Sequence, residues 1–136
     1  MIVEIGKAIK TNLQTITGLS AYSPDNLPPE INTTPSAIIL PPSVVYEATY
    51  QADMVLTFRV ILFVAKQDQA TSLSILTPYL DTVGAKSIRA ALYTDRSLSG
   101  YGDMKLISAK GVGNTQWGSA VFLSTEFEIY VISKSL

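Results

Sequence analysis

Side chains able to do chemistry are sparse in this sequence, and the clearest pair is Glu126 and Glu128, two residues apart in a run that alternates apolar and polar positions. In a pleated strand that spacing puts both carboxylates on one face, where in principle they can act as acid and base or hold a hard cation. Ser124 and Tyr130 flank them and add no third ligand, so the plainer reading is a pair of acids that solvate an exposed sheet face or point into an assembly lumen. The chain has no His and no Cys. The commonest general base, the commonest metal ligand and the best nucleophile are therefore missing, which excludes a serine triad of the usual kind, a thiolate zinc site and any disulfide. Gly111-Val112-Gly113 followed by Gly118 superficially resembles a phosphate loop. It leads into a strand pattern, so the helix N-terminus that would hold an anion is missing. No catalytic residue, metal site or cofactor is expected.

The elements that position these residues begin with the run itself. Val121, Leu123, Phe127, Ile129 and Val131 alternate with Phe122, Ser124, Glu126, Glu128 and Tyr130, which reads as a strand of a sheet covered on one side only. Residues 54–65 repeat the pattern, with Met54, Leu56, Phe58, Val60, Leu62 and Val64 on one face and Thr57 and Arg59 on the other. Ile2, Ile5, Ile9, Leu13 and Ile16 form a helical stripe over residues 2–16, ended by Gly18. Six of the seven prolines fall between residues 23 and 42, which confines any strand there to residues 36–40. Residues 44–50 alternate weakly and pair with 54–65 as a hairpin across Gln51-Ala52-Asp53. Asp68 is a suitable N-cap for a helix over 69–80, although Pro78 predicts a kink or an early end; Gly84 then separates it from a second short helix over 87–93. Residues 104–109 form a strand, and 111–118 form a glycine-rich connection to the last strand. The expectation is one α+β domain over 1–136: a mainly antiparallel or mixed sheet of about four to five strands, with an N-terminal helix and two short central helices packed on one face.

Composition narrows the partners. The 136 residues are 47% hydrophobic and only 15% charged, with seven Tyr, which suits a folded domain that hides further surface in an assembly. Ten basic against eleven acidic residues, with no Lys/Arg run, argue against a grip on nucleic acid. The N-terminal residues carry an acid where a signal peptide has positive charge, and the longest apolar stretch, 60–65, is too short to cross a bilayer, so a cytoplasmic product is expected. Among the aromatics, Trp117 at the shoulder of the final hairpin reads either as an anchor for a neighbouring subunit or as a local cap. Tyr46 and Tyr50 share one strand face, as core or as subunit contact, while Tyr79 and Tyr93 read as core.

The ordered segments resemble the tail terminator proteins of long, non-contractile-tailed bacteriophages, over nearly the whole chain. The residues that carry the resemblance are Leu13-Gln14-Thr15-Ile16-Thr17-Gly18-Leu19, Ser23-Pro24-Asp25-Asn26-Leu27-Pro28-Pro29, Pro35-Ser36-Ala37-Ile38-Ile39, Phe58-Arg59-Val60 and Tyr79-Leu80-Asp81. Residues 84–92, Thr94-Asp95-Arg96-Ser97-Leu98-Ser99-Gly100, and the closing 111–113 and 118–127 continue it, while Pro78 departs from the pattern. The resemblance implies a non-enzymatic virion protein at the head-proximal end of the tail, assembled in the host cytoplasm. It forms a ring, usually a hexamer, that caps the tail tube at its final length, joins the head-tail connector or stopper protein, and lets DNA pass through without specific binding or any membrane contact. Such a ring needs a closed heterologous interface and a hole whose wall does not hold DNA. Tyr46, Tyr50, Asp53 and Trp117 are the expected subunit or tube contacts, and Glu47, Glu126 and Glu128, with Asp53, the expected acids of the lumen or rim. A head-closure or adaptor neck protein, a tube subunit, and a small enzyme built on Glu126 and Glu128 are the alternatives.

Overall fold

In a computed structural model, residues 2–49, 52–66 and 72–133 are described. Helix α1 (Ile2–Leu13) buries Ile5, Ile9 and Leu13, spaced four apart, and Ile16 extends the same contact from the turn that follows. The remaining elements are β1 (Ser20–Tyr22), β2 (Ser36–Ile39), β3 (Ser43–Thr49), β4 (Ala52–Lys66), α2 (Ser72–Leu80), α3 (Ile88–Leu92), β5 (Gly102–Trp117) and β6 (Ala120–Ser133), with a single 3₁₀ turn at Tyr93–Asp95. The described residues thus form an α+β fold with one mixed sheet of six strands, more than the four to five that the alternation patterns predict. The short strand expected within 36–40 is β2, and the additional strand is β1, whose three residues pair in parallel with β2 from Ser20↔Ser36 and are too few to leave a periodic signal.

The sheet runs β1-β2-β4-β6-β5, and β3 shares with β2 one long side of β4. β2 pairs with residues 60–63 of β4 and β3 with 54–57, so β4 carries both halves of the sheet. Its even-numbered side chains Leu56, Phe58, Val60 and Leu62 are buried, together with Phe127, Ile129 and Val131 of β6 and Met104 of β5. Leu76 and Tyr79 of α2 and Ile88 and Leu92 of α3 complete this core with the stripe of α1. Each such aliphatic side chain taken from water contributes about 1.5–3 kcal/mol. All three helices therefore lie on one face, because only that face of the central strands is continuously apolar.

The opposite face is half covered, where the alternation pattern predicts an open one. Ile31, Ile38, Phe63 and Phe122 form a second buried cluster, with Leu27, Leu40 and Trp117 packed against it. The proline-rich segment supplies Leu27 and Ile31, so it is a cover for the sheet rather than an extended lead-in. It also crosses α1 closely: a Cβ on Gly6 would stand 2.7 Å from Pro24 Cδ.

Two sequence expectations are corrected here. The glycine-rich stretch 111–118 is a continuation of β5 as far as Trp117, not a loop, and the strands join through a two-residue turn at Gly118 and Ser119. Register shifts between Leu106 and Ser108 and between Lys110 and Gly113 absorb the extra residues, which is what a bulge does in a long edge strand. Gly118 adopts φ +63°, a left-handed conformation that favours glycine. In the middle of the chain, α2 runs through Pro78 and stops two residues later at Leu80. Pro78 brings no backbone amide to the helix, which ends within a turn of it. Asp68 and the start predicted at residue 69 lie outside the described residues, and the first described helical residue is Ser72.

Candidate functional site

Cross-strand register defines the open half of the sheet as rows of side chains. Val45, Val55, Ile132 and Asp103 form the outermost row, followed by Ser43, Thr57, Tyr130 and Lys105, then Arg59, Glu128 and Ser108, then Ile61, Glu126 and Lys110. Val45 is 55% exposed and Ile132 47%, so the outer row presents aliphatic surface to water. The inner rows are charged. Arg59 Nε lies 2.9 Å and Lys110 Nζ 3.4 Å from the two carboxylate oxygens of Glu126. Glu126 and Glu128 do share one face, as their spacing predicts, but Glu126 is held between two cations and presents little free charge. Among the described side chains of this face, Arg59, Lys105 and Lys110 balance Asp103, Glu126 and Glu128.

Beside Glu126 the bulge of β5 leaves a shallow cavity of about 220 Å³ lined by Ile61, Lys110, Thr115, Ser124 and Glu126. The Thr115 and Ser124 hydroxyls are 2.6 Å apart, and the Thr125 hydroxyl donates to the Lys110 carbonyl. These groups satisfy one another. Among the described residues no group of three His, Cys, Asp or Glu side chains could hold a metal.

Trp117 is tied within its own chain. Its Nε1 donates to the Pro28 carbonyl at 2.8 Å, and its ring stands edge-on to Phe63 at 6.1 Å between centroids. Glu30 accepts from the Ser119 backbone and hydroxyl at 3.2 and 3.1 Å, so the tip of the β5–β6 hairpin is clasped by the proline-rich segment. Tyr46 is 71% exposed and lies beyond the helical layer that covers its neighbour Val44. Tyr50 lies outside the described residues; Glu47 and Asp53 fall in β3 and β4, and their side chains are likewise outside them.

A cluster that the sequence analysis did not single out lies beside β5. The Tyr93 ring, expected to be core, is only half-buried and carries the guanidinium carbons of Arg89 at 5.0 Å and Arg96 at 5.6 Å from its centre. Its hydroxyl accepts from the Leu106 backbone at 3.1 Å. The sequence signal was available in part: Arg89 and Tyr93 are four apart, the spacing that stacks side chains on one helical face. Arg96 reaches the ring only because the chain turns after Asp95.

That turn is held by a carboxylate. Asp95 accepts from the Ser97 hydroxyl at 2.6 Å and from the Ser97 and Ser99 backbone at 3.2 and 3.0 Å. The Ser97 hydroxyl foremost, and the Ser99 amide next, hold its pKa below the ordinary aspartate value of 3.8. A depressed folded-state pKa contributes stability that is full above 3.8 and is lost as the pH falls through the folded value. Asp95→Asn should therefore flatten the acid side of the melting-temperature profile. An unchanged acid slope in the variant would show that the turn does not depend on the carboxylate.

Compared with models of known protein families and with curated proteins, the chain matches none.

Proposed function

We propose that this protein is a structural subunit of a bacteriophage tail, a terminator that forms a ring on the tail tube at its final length and offers its other side to the head-tail connector. The observation that carries the reading is the open half of the sheet. A small domain gains nothing as a monomer by leaving Val45 of β3 and Tyr130 and Ile132 of β6 exposed on one face, either side of β4, and such patches mark sites of association. The resemblance in segment order over nearly the whole chain supports the same reading, as does the absence of His and Cys.

In this reading the aliphatic outer row docks against the tube, and the charged middle of the face stands at the rim of the hole. Equal numbers of cations and acids there leave no basic groove, so DNA slides past without being held. Of the two acids in the middle of this face, Glu128 is the rim acid, since Glu126 is paired with Arg59 and Lys110.

The test is electron microscopy of growing tail tubes with and without the purified chain. Rings at tube ends, with elongation stopped, are the expected result. Filaments of the chain alone would make it a tube subunit, and binding to connector rings but not to tube ends would make it a neck adaptor.

A further inference from the structure

Arg89 and Arg96 are both exposed, and neither is in an ion pair among the described residues. Their guanidinium carbons stand 5.0 and 5.6 Å from the centre of one ring, that of Tyr93. Each gains from the ring, but two cations gathered on it repel one another, and an anion that meets both removes that cost. The nearest acid in sequence does not supply it: the Asp95 oxygens accept from the Ser97 hydroxyl and from the Ser97 and Ser99 amides.

The platform is held in place. The Tyr93 hydroxyl accepts from the Leu106 amide at 3.1 Å, the Met104 amide donates to the Arg96 carbonyl at 3.1 Å, and Arg96 Nε donates to the Met104 carbonyl at 2.9 Å. With Nε engaged on β5, the two Nη groups of Arg96 are left as the planar fork that fits a carboxylate. The Gly102 amide is likewise taken, by the Ser97 carbonyl. Backbone groups that an edge strand would offer to an incoming strand are used here, so a neighbour on this side meets side chains.

We propose that Arg89 and Arg96, mounted on Tyr93, are the docking site for an acidic segment of a neighbouring protein, whose carboxylates they grip. A protein fits better than a nucleic acid. The chain has no Lys/Arg run and a net charge of −1, so it lacks the track of cations that a phosphate backbone needs, and the ring on which a base would stack already carries the guanidiniums. Arginine and tyrosine together, with Val83 six residues before Arg89 left 74% exposed, have the composition of a protein interface centre. Tyr93 packs against the core beneath the helices, so the site lies on the helical side of the sheet, away from the aliphatic outer row that meets the tube. The inference goes beyond the tail reading and stands without it.

Fluorescence anisotropy of a labelled hexaglutamate peptide, added to the full chain at low salt, tests the site, with a melting curve of each variant to show that it folds. The wild type should bind the peptide. Arg89→Gln, which breaks no hydrogen bond among the described residues, should weaken binding about tenfold, the loss of one charge-assisted contact. Arg96→Lys keeps the charge without the fork and should weaken it as well. Lys7→Gln/Lys10→Gln removes two cations of α1 and should leave it unchanged. No binding by the wild type, either arginine variant binding like the wild type, or an equal loss in the lysine variant overturns the proposed site. Short duplex DNA that binds as tightly as the peptide and is released in Arg89→Gln assigns the cations to phosphate and overturns it too. None of these outcomes bears on whether rings form at tube ends.

Discussion

Replacing Phe63 with alanine is expected to lower the unfolding free energy by about 3–5 kcal/mol, a large part of the total for a domain of this size. Phe63 is fully buried on the face away from the helices, with its ring 5.4 Å from Phe122 and 6.1 Å from Trp117, both edge-on. Truncation removes the centre of the second cluster. Ile31 and Trp117 then lose the surface that holds the proline-rich segment over β4 and β6, and the Trp117 to Pro28 hydrogen bond loses its support. Urea unfolding followed through Trp117, the single tryptophan, reads both effects. The midpoint should fall with little change in slope, and protease cleavage within residues 24–35 should accelerate. A loss under about 1 kcal/mol would mean that the second cluster adds little to the fold.

The second large effect is expected from Asn12. This residue is 3% exposed, and its amide nitrogen donates to the carbonyls of Leu92 at 3.2 Å and Asp95 at 3.0 Å. The Leu92 carbonyl opens the 3₁₀ turn and the Asp95 carbonyl also accepts from the Leu98 amide at 3.3 Å, so Asn12 ties α1 to both ends of this turn. Asn12→Ala removes both side-chain bonds from a buried place, which costs about 1–3 kcal/mol. The damage should also travel to the surface. Asn12 fixes α1 against the segment that carries Tyr93 and Arg96, so the variant should assemble less well than its folded fraction alone accounts for. Calorimetry gives the stability change, and sedimentation of the folded variant gives the assembly change. Full assembly in the destabilised variant would separate the two.

Legibility in the sequence followed the strength of the periodic signal. The stripe of α1, the alternation of β4 and β6, and the β3–β4 hairpin could be read, because each spans enough residues to fix a face, whereas the pairing of β4 with β6 could not. Glu126 and Glu128 were placed on one face for the same reason. What could not be read is what lies against that face: Arg59 and Lys110 reach Glu126 from β4 and β5, and their approach depends on cross-strand register and on the bulge after Lys110. The glycines at 111 and 113 look like a loop, since a strand that contains them must be carried by its partner. β6 carries it here, through pairs such as Gly113↔Ser124 and Trp117↔Ala120. The surface cluster of Arg89, Tyr93 and Arg96 was hidden because it joins a helix to the residue beyond a turn.

By itself the sequence determined the α+β class, the lack of any thiol or imidazole, and one apolar face per long strand. These follow from composition and from local periodicity, which need no knowledge of distant contacts. Only the tertiary structure decided that the proline-rich segment covers the second face, that Trp117 is spent on Pro28, and that Arg89 and Arg96 gather on the Tyr93 ring. Each of these depends on which strand lies beside which, and strand order is set by the joint burial of all the apolar faces at once, not by any segment alone.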